Sequence, residues 1–196
     1  KPIVAFDRVL GNRIPIVRVN HKAGGHMAAQ LLYESGCRNV VQFHGAKVVT
    51  SPSHERHTEF EQYMKERGVK VTSVELLWNR FDSSYFEDVT RQVLNEHPEI
   101  DGVFGADLLV AYCMKGALRH GKRIPEDLKL VAYDGTYITE IVTPEITAIV
   151  QPISQIADAL VSIICDMVEG KKLKGHKVIF DVSVKYGGTT LGNITK

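Results

Sequence analysis

The chain has no block of like charge: 24 basic side chains stand against 23 acidic ones, for a formal net charge of +1. Such a balance excludes the electrostatic footprint of a nucleic-acid groove or an anionic membrane surface in this segment. Cysteine is scarce. Cys37, Cys113 and Cys165 are odd in number, far apart and set among apolar neighbours, which argues against a disulfide framework and for small core fillers in a reducing cytosol. No apolar stretch reaches the length of about 18 residues that a membrane-spanning helix needs. The N-terminus, KPIVAFDR, lacks the charged-then-apolar layout of a signal peptide, and it opens inside an apparent strand with no initiator Met, as a fragment would. Also missing are a G-x-S-x-G elbow, a P-loop, H-E-x-x-H and a G-x-G-x-x-G after the first strand. No enzyme chemistry, metal or cofactor is therefore expected.

What is there is ordinary globular material: 196 residues, 44% hydrophobic and 24% charged, enough for one large domain or two small lobes. β-Branched runs alternate with helical periodicity. Strands are expected at 2–7, 14–20, 39–45, 71–78, 100–106, 128–134 and 146–152, with a closing alternation at 176–186. Helices are expected at 20–36, 51–68, 83–99, 107–121 and 153–170. Gly36, Gly68 and Gly170 supply stop signals, Pro98 halts the third helix, and Ser53 offers an N-cap to the second. Strands alternating with helices of about a dozen residues give an α/β fold of parallel sheet, each crossover helix covering a sheet face.

In such sheets ligands bind outside the carboxyl ends of the strands, where loops leave the sheet and helix N-termini point inward. The candidates are the polar residues that end each apolar run: Asp7, Asn20 with His21, His44, Asn79 to Asp82, Asp107 and Asp134. Aspartate can accept two hydrogen bonds from vicinal hydroxyls, and in sugar sites its usual company is a fork-shaped arginine and an aromatic platform. Arg56 is the natural arginine; Trp78 and Phe81 are the aromatics nearest a strand end. Asp107 directly precedes LLVAY and fits a helix cap as well as a ligand contact. Asp134 lies in YDGT, where Gly135 permits a tight turn and no long helix follows, which favours a ligand role. His54 and His57 have a metal-compatible spacing but no third ligand nearby, so a solvated helix face is the simpler reading. Gly24–Gly25 could cradle a phosphate, yet close packing suffices.

In order along the chain, FDR, VNHKAGGHMAAQLLYESGCRNVVQFHG, ERHTEF, VFGADLLVAYCMKGALRHGKRIPEDLKLVAYDG and PEITAIVQPISQIADAL resemble the effector-binding core of the lactose/galactose repressor family of bacterial transcription regulators, with some likeness to sucrose-operon repressors. The order and spacing of these segments are specific, and they cover the chain as far as Thr190. The resemblance implies a periplasmic-binding-protein-like fold, two lobes of parallel sheet flanked by helices and joined by three chain crossings, with a small effector, a sugar, in the cleft. On that mapping residues 1–20 and 151–179 form an incomplete N-lobe, and 21–150 with 180–196 the C-lobe. It also implies a cytoplasmic homodimer that meets operator DNA through an N-terminal domain not in this chain, and no membrane partner. A sheet lacking its first strands would expose edges and an apolar face.

Carried over by motif, Asp7 in FDR resembles the N-lobe acid facing the effector. Arg56 in ERHTEF matches the arginine of the family's R-x-x-G-F helix, with Glu59 in place of the glycine. Phe81 falls near the aromatic that stacks on the ligand, in a loop shorter than the family pattern. Asp134 matches the acid of G-[FY]-D, and Gln151 with Ile153 the crossing segment under the cleft. Ala106 stands where many members carry Asn ahead of the aspartate, here Asp107, so one polar contact is lost. The implied mechanism is two-state: an effector touching both lobes stabilises one lobe orientation, and only one orientation suits tight operator binding. The rival readings are a sugar-binding receptor of a transport system with the same fold and, more remotely, an enzyme acting on a sugar or nucleotide.

Overall fold

A computed structural model describes residues 1–46, 51–77, 79–173, 175 and 177–191. Among the described residues nine strands and five α-helices follow one another: β1 (Ala5–Phe6), β2 (Ile16–Val19), α1 (His21–Glu34), β3 (Asn39–His44), α2 (His54–Glu66), β4 (Lys70–Glu75), α3 (Ser83–Glu96), β5 (Gly102–Ala106), α4 (Asp107–Arg119), β6 (Lys129–Asp134), β7 (Thr147–Val150), α5 (Ile153–Val168), β8 (Lys177–Phe180) and β9 (Ser183–Lys185). They form two sheets. The smaller has the order β1-β2-β8 and is parallel throughout; the larger has the order β4-β3-β5-β6-β7-β9, parallel except for β7 against β9. An α/β architecture of parallel sheet with crossover helices is thus what the alternating pattern builds.

Side-chain alternation explains the layers of the larger sheet. Val40, Phe104, Val131, Tyr133 and Ile149 join Ala28, Leu32, Phe60 and Met64 in one core, under α1 and α2. Their neighbours along the strands, Val41, Phe43, Val103, Leu130, Ala132 and Ala148, point to the other face and pack with Phe86, Leu94, Leu109, Val110 and Met114 of α3 and α4. The sheet is buried on both faces, which is why these strands are continuous apolar runs.

The chain passes between the sheets three times, at Asn20, at Gln151–Pro152 and at Asp181–Val182. Asn20 ties two of these passages together. Its N–H donates to Phe180 at 2.9 Å, its amide reaches Asp181 at 3.4 Å, and its side-chain oxygen caps α1 by accepting from the Ala23 N–H at 3.1 Å.

Several local expectations differ from the structure. The first strand shrinks to Ala5–Phe6 because β1 is an edge with β2 as its one neighbour. Pairing of β4 stops at Glu75, and Trp78 lies outside the described residues. Ser53 precedes α2 in helical conformation with no capping bond from its side chain; its N–H and hydroxyl meet Ser51 instead. The closing alternation splits into β8 in the smaller sheet and β9 in the larger, with Phe180 still paired to Val19 in the smaller. Cys37 and Cys113 are buried, but Cys165 is exposed on α5 and fills no core.

Candidate functional site

Backbone conformation singles out two of the expected acids. Asp7, just past β1, has φ 60°, and Asp134, the last residue of β6, has φ 113°; Asn79 is the other non-glycine residue with positive φ among those described. Side chains rarely adopt this region, and it persists where surrounding contacts fix it, which is common at binding sites. The two acids belong to different sheets.

Side chains link them. Asp134 Oδ1 accepts from Gln151 Nε2 at 2.6 Å and lies 3.7 Å from an Arg56 guanidinium nitrogen. That guanidinium sits over the ring of Tyr133, 3.9 Å from its centroid, in cation–π contact. The Tyr133 hydroxyl is 3.2 Å from His21 Nδ1, and His21 Nε2 is 2.7 Å from Asp7 Oδ1. A continuous polar chain, Asp7–His21–Tyr133–Arg56–Asp134–Gln151, therefore crosses from the smaller sheet to the larger and on to the 151–152 passage. Burial pushes the Tyr133 phenol up to about 12 against the opposing pull of Arg56, so it stays a neutral hydrogen-bond donor. Each acid commits Oδ1 to the protein, and among the described residues its Oδ2 takes no hydrogen bond. The Asp7 and Asp134 side chains keep 23% and 35% of their surface exposed, enough for a small ligand to reach them.

The fold delivers Arg56 here through the paired glycines of α1. A Cβ on Gly25 would stand 2.0 Å from the Arg56 carbonyl oxygen, and one on Gly24 would stand 2.6 Å from the Tyr133 ring. The pair is thus a close-packing device that lets α1 press against both α2 and β6. A second polar tie runs from β2 to α2, where Arg18 meets Glu55 at 2.7 Å.

The other expected residues stand apart from the chain or support it. Asp107 opens α4, but the cap position is held by Ala106. Its buried carboxylate instead accepts from the N–H groups of Gly135 at 3.2 Å and Thr136 at 2.5 Å, fixing the YDGT turn that presents Asp134. Burial raises its pKa above the ordinary value despite those bonds. Phe81 is 72% exposed and, among the described residues, packs against no other aromatic ring or cation. Ile153 begins α5 and is 58% exposed. His57 faces the core, not solvent: Nδ1 is 3.1 Å from Gln42 Oε1, the ring packs on Phe104, and burial drives its pKa well down. A cavity of about 260 Å³ beside it is lined by Gln42, His44, His54, His57, Thr58 and Glu61, and by none of the acids of the polar chain.

Two members of the chain were harder to foresee. His21 follows a strand end and was visible as such, but nothing in the sequence says that it meets Asp7. Tyr133 sits inside an apolar run and looks like core; only its place before Asp134 hints that it borders the site.

Residues 29–190 match the family model described as "Periplasmic binding protein-like domain". The chain is 33% identical over 194 residues to the ribose operon repressor of Halalkalibacterium halodurans, a match covering 97% of this chain and 57% of that protein. It is 34% identical over 169 residues to the sucrose operon repressor of Streptococcus mutans, covering 86% of this chain and 51% of the relative. The chain thus spans little more than half the length of the curated relatives it matches. Among solved structures, a periplasmic binding protein/LacI transcriptional regulator from Alkaliphilus metalliredigens, complexed with D-xylulofuranose, superposes with a TM-score of 0.85 at 24% identity, over 97% of this chain and 71% of that one. The regulator CelR in complex with cellobiose gives 0.83 at 21% identity, over 95% and 58%. With its parallel sheets joined at three passages and a family model matched from 29 to 190, the chain belongs to the periplasmic-binding-protein-like domain family.

Proposed function

We propose that this chain is the effector-binding region of a sugar-responsive transcriptional repressor. On this reading the sheets mark two lobes, residues 1–20 with 151–180 and residues 21–150 with 181–196, Phe180 falling with the smaller sheet and not, as the sequence mapping has it, with the larger, and the sugar lies between their carboxyl ends. The single observation that carries it is the polar chain from Asp7 to Gln151, which joins the sheets and leaves one oxygen of each acid without a partner among the described residues.

The assignment of roles follows from the chemistry. Asp7 and Asp134 accept from sugar hydroxyls, Arg56 and Gln151 donate to them, and Ile153 supplies apolar surface beside Gln151. Asp107 acts through the turn that it holds. Phe81 enters only as the aromatic nearest a strand end. The set contains a guanidinium, carboxylates and an imidazole enclosed by protein partners, which suits holding a polyol better than transforming it, so the protein is read as a binder and not an enzyme. Ligand bridging both sheets favours one arrangement over the other by its differential affinity. That shift would be transmitted through a homodimer to operator DNA, bound by a region outside this chain, in the cytoplasm. No helix among the described residues is long and apolar enough to cross a membrane.

The names of the two relatives make D-ribose and sucrose the first sugars to test. Thermal unfolding should shift upward with the correct sugar, by about 2.7 kcal/mol at a hundredfold excess over Kd. The shift should vanish in Arg56→Ala and Asp134→Asn. Stabilisation that survives both substitutions would place the ligand elsewhere.

A further inference from the structure

We propose that His21 is a positioning residue of this site: it ties Asp7 of the smaller sheet to the Tyr133–Arg56 stack of the larger, and so sets the separation at which Asp7 and Asp134 face one ligand. The inference rests on the effector-binding reading above and adds a residue to it.

A buried histidine is most often a satisfied core residue, and His21 is only 2% exposed. What distinguishes it is that its two nitrogens point to groups on opposite sides of the inter-sheet boundary. Nε2 meets Asp7 Oδ1 at 2.7 Å and Nδ1 meets the Tyr133 hydroxyl at 3.2 Å. A carboxylate can only accept, so Nε2 carries the hydrogen. The other nitrogen, Nδ1, then pairs with the Tyr133 O–H, which can donate to it or accept from it. In this orientation of the ring both nitrogens are partnered, one on each side of the boundary.

The location adds leverage. His21 is the first residue of α1, directly after the Asn20 passage, and α1 cannot shift independently, because Gly24 and Gly25 lock it onto Tyr133 and the Arg56 backbone. The imidazole is thus a rigid strut rooted in the larger sheet's layer. Asp7, with positive φ in the turn after β1, has its Oδ1 held by that strut and its Oδ2 aimed at no protein donor among the described residues. Losing the strut frees Asp7 to rotate, while Arg56 and Asp134 stay in place.

The test uses the geometry of the ring. A glutamine amide nitrogen reaches the position of Nε2, whereas asparagine reaches only that of Nδ1. In the full chain, with D-ribose and sucrose titrated calorimetrically, His21→Gln should keep affinity within a few-fold of wild type. His21→Asn and His21→Leu should lose about tenfold to a hundredfold, the usual worth of a hydrogen bond to a charged group. Adding His21→Asn to Asp7→Asn should cost less than His21→Asn does alone, because His21 acts on the ligand through Asp7. Equal affinities in His21→Gln and His21→Asn overturn the proposal, whether both are weak or both like wild type, and they do so even if His21→Leu fails to fold. If wild type binds neither these two sugars nor any other in a screen of mono- and disaccharides, the effector-binding reading itself falls, and this inference with it.

Discussion

The larger and smaller sheets cover their helices very differently. α4, against the larger sheet, buries Leu109, Val110, Cys113, Met114 and Ala117. α5, with an even richer apolar sequence, buries Ile156 alone and leaves Ile153, Val161 and Val168 more than half exposed. Burial is therefore decided by what stands opposite a helix, not by how apolar the helix is. The larger sheet offers α4 a six-stranded surface and α3 as a neighbour, while the smaller offers α5 three strands. The same contrast runs through the site. Tyr133, Arg56 and Asp134 are anchored in the doubly covered sheet, and the smaller contributes Asp7 from a turn after a two-residue edge strand.

If the larger sheet is the rigid half, its core should be the costliest place to cut. Phe60 is fully buried and stacks on Phe104 with ring centroids 4.6 Å apart. Phe60→Ala should lower the unfolding free energy by about 3–5 kcal/mol in urea denaturation, the range for large aromatic deletions. A loss under about 1 kcal/mol would mean that this core relaxes freely, contrary to close packing. Gly25→Ala comes next. Replacing a mid-helix glycine ordinarily gains up to about 1 kcal/mol, but here the new Cβ meets a backbone oxygen at 2.0 Å, which cannot swing aside. Overpacking should win, with a net loss of about 1–3 kcal/mol. Sugar affinity should fall with it, since α2 must carry Arg56 away. A stabilised Gly25→Ala would show that α1 and α2 slide past each other easily.

The same division governs what the sequence disclosed. Alternation of strand and helix, the glycine stops and the strand-end acids are local features, and the α/β class and the positions of Asp7, Arg56 and Asp134 could be read from them. Contacts that depend on which elements meet could not. Nothing local says that the His21 ring would span from Asp7 to Tyr133, or that Asp107 would hold the backbone of a turn 28 residues away and not its own helix. Ser53 carried a sound capping signal, yet Ser51 competes for its hydroxyl and its backbone is already helical. Cys165 looked like core because its neighbours are apolar, and the exposed side of α5 shows why apolar company is insufficient.

Asp107 gives a smaller, pH-dependent effect. Its folded-state pKa is raised, chiefly by burial, so folding favours its protonated form. The stabilising contribution is complete below the ordinary aspartate range near about 4 and is lost as pH rises through the raised value. Urea midpoints of wild type and Asp107→Asn should therefore diverge with pH: wild type loses ground relative to the variant as pH rises from about 4 through the raised value. A pH-independent difference would mean that the Gly135 and Thr136 N–H groups compensate fully for burial.

The smallest effect is expected where the contrast between the sheets is sharpest. Val161 is 63% exposed on α5, whereas a valine of the larger sheet such as Val131 is fully buried. Placing lysine at an exposed helical position removes little apolar contact, and lysine is a good helix former, so Val161→Lys should change stability by no more than about 0.5 kcal/mol. The measurement must be made at several protein concentrations, because an apolar helix face can be covered by a second copy of the chain. In that case the lysine would be buried without a partner, the loss would exceed the surface range, and wild type alone would gain stability with concentration. Such a result would turn α5 from the poorly covered helix of one chain into the covered helix of a pair, and the difference between the two sheets would then belong to the isolated chain and not to the assembly.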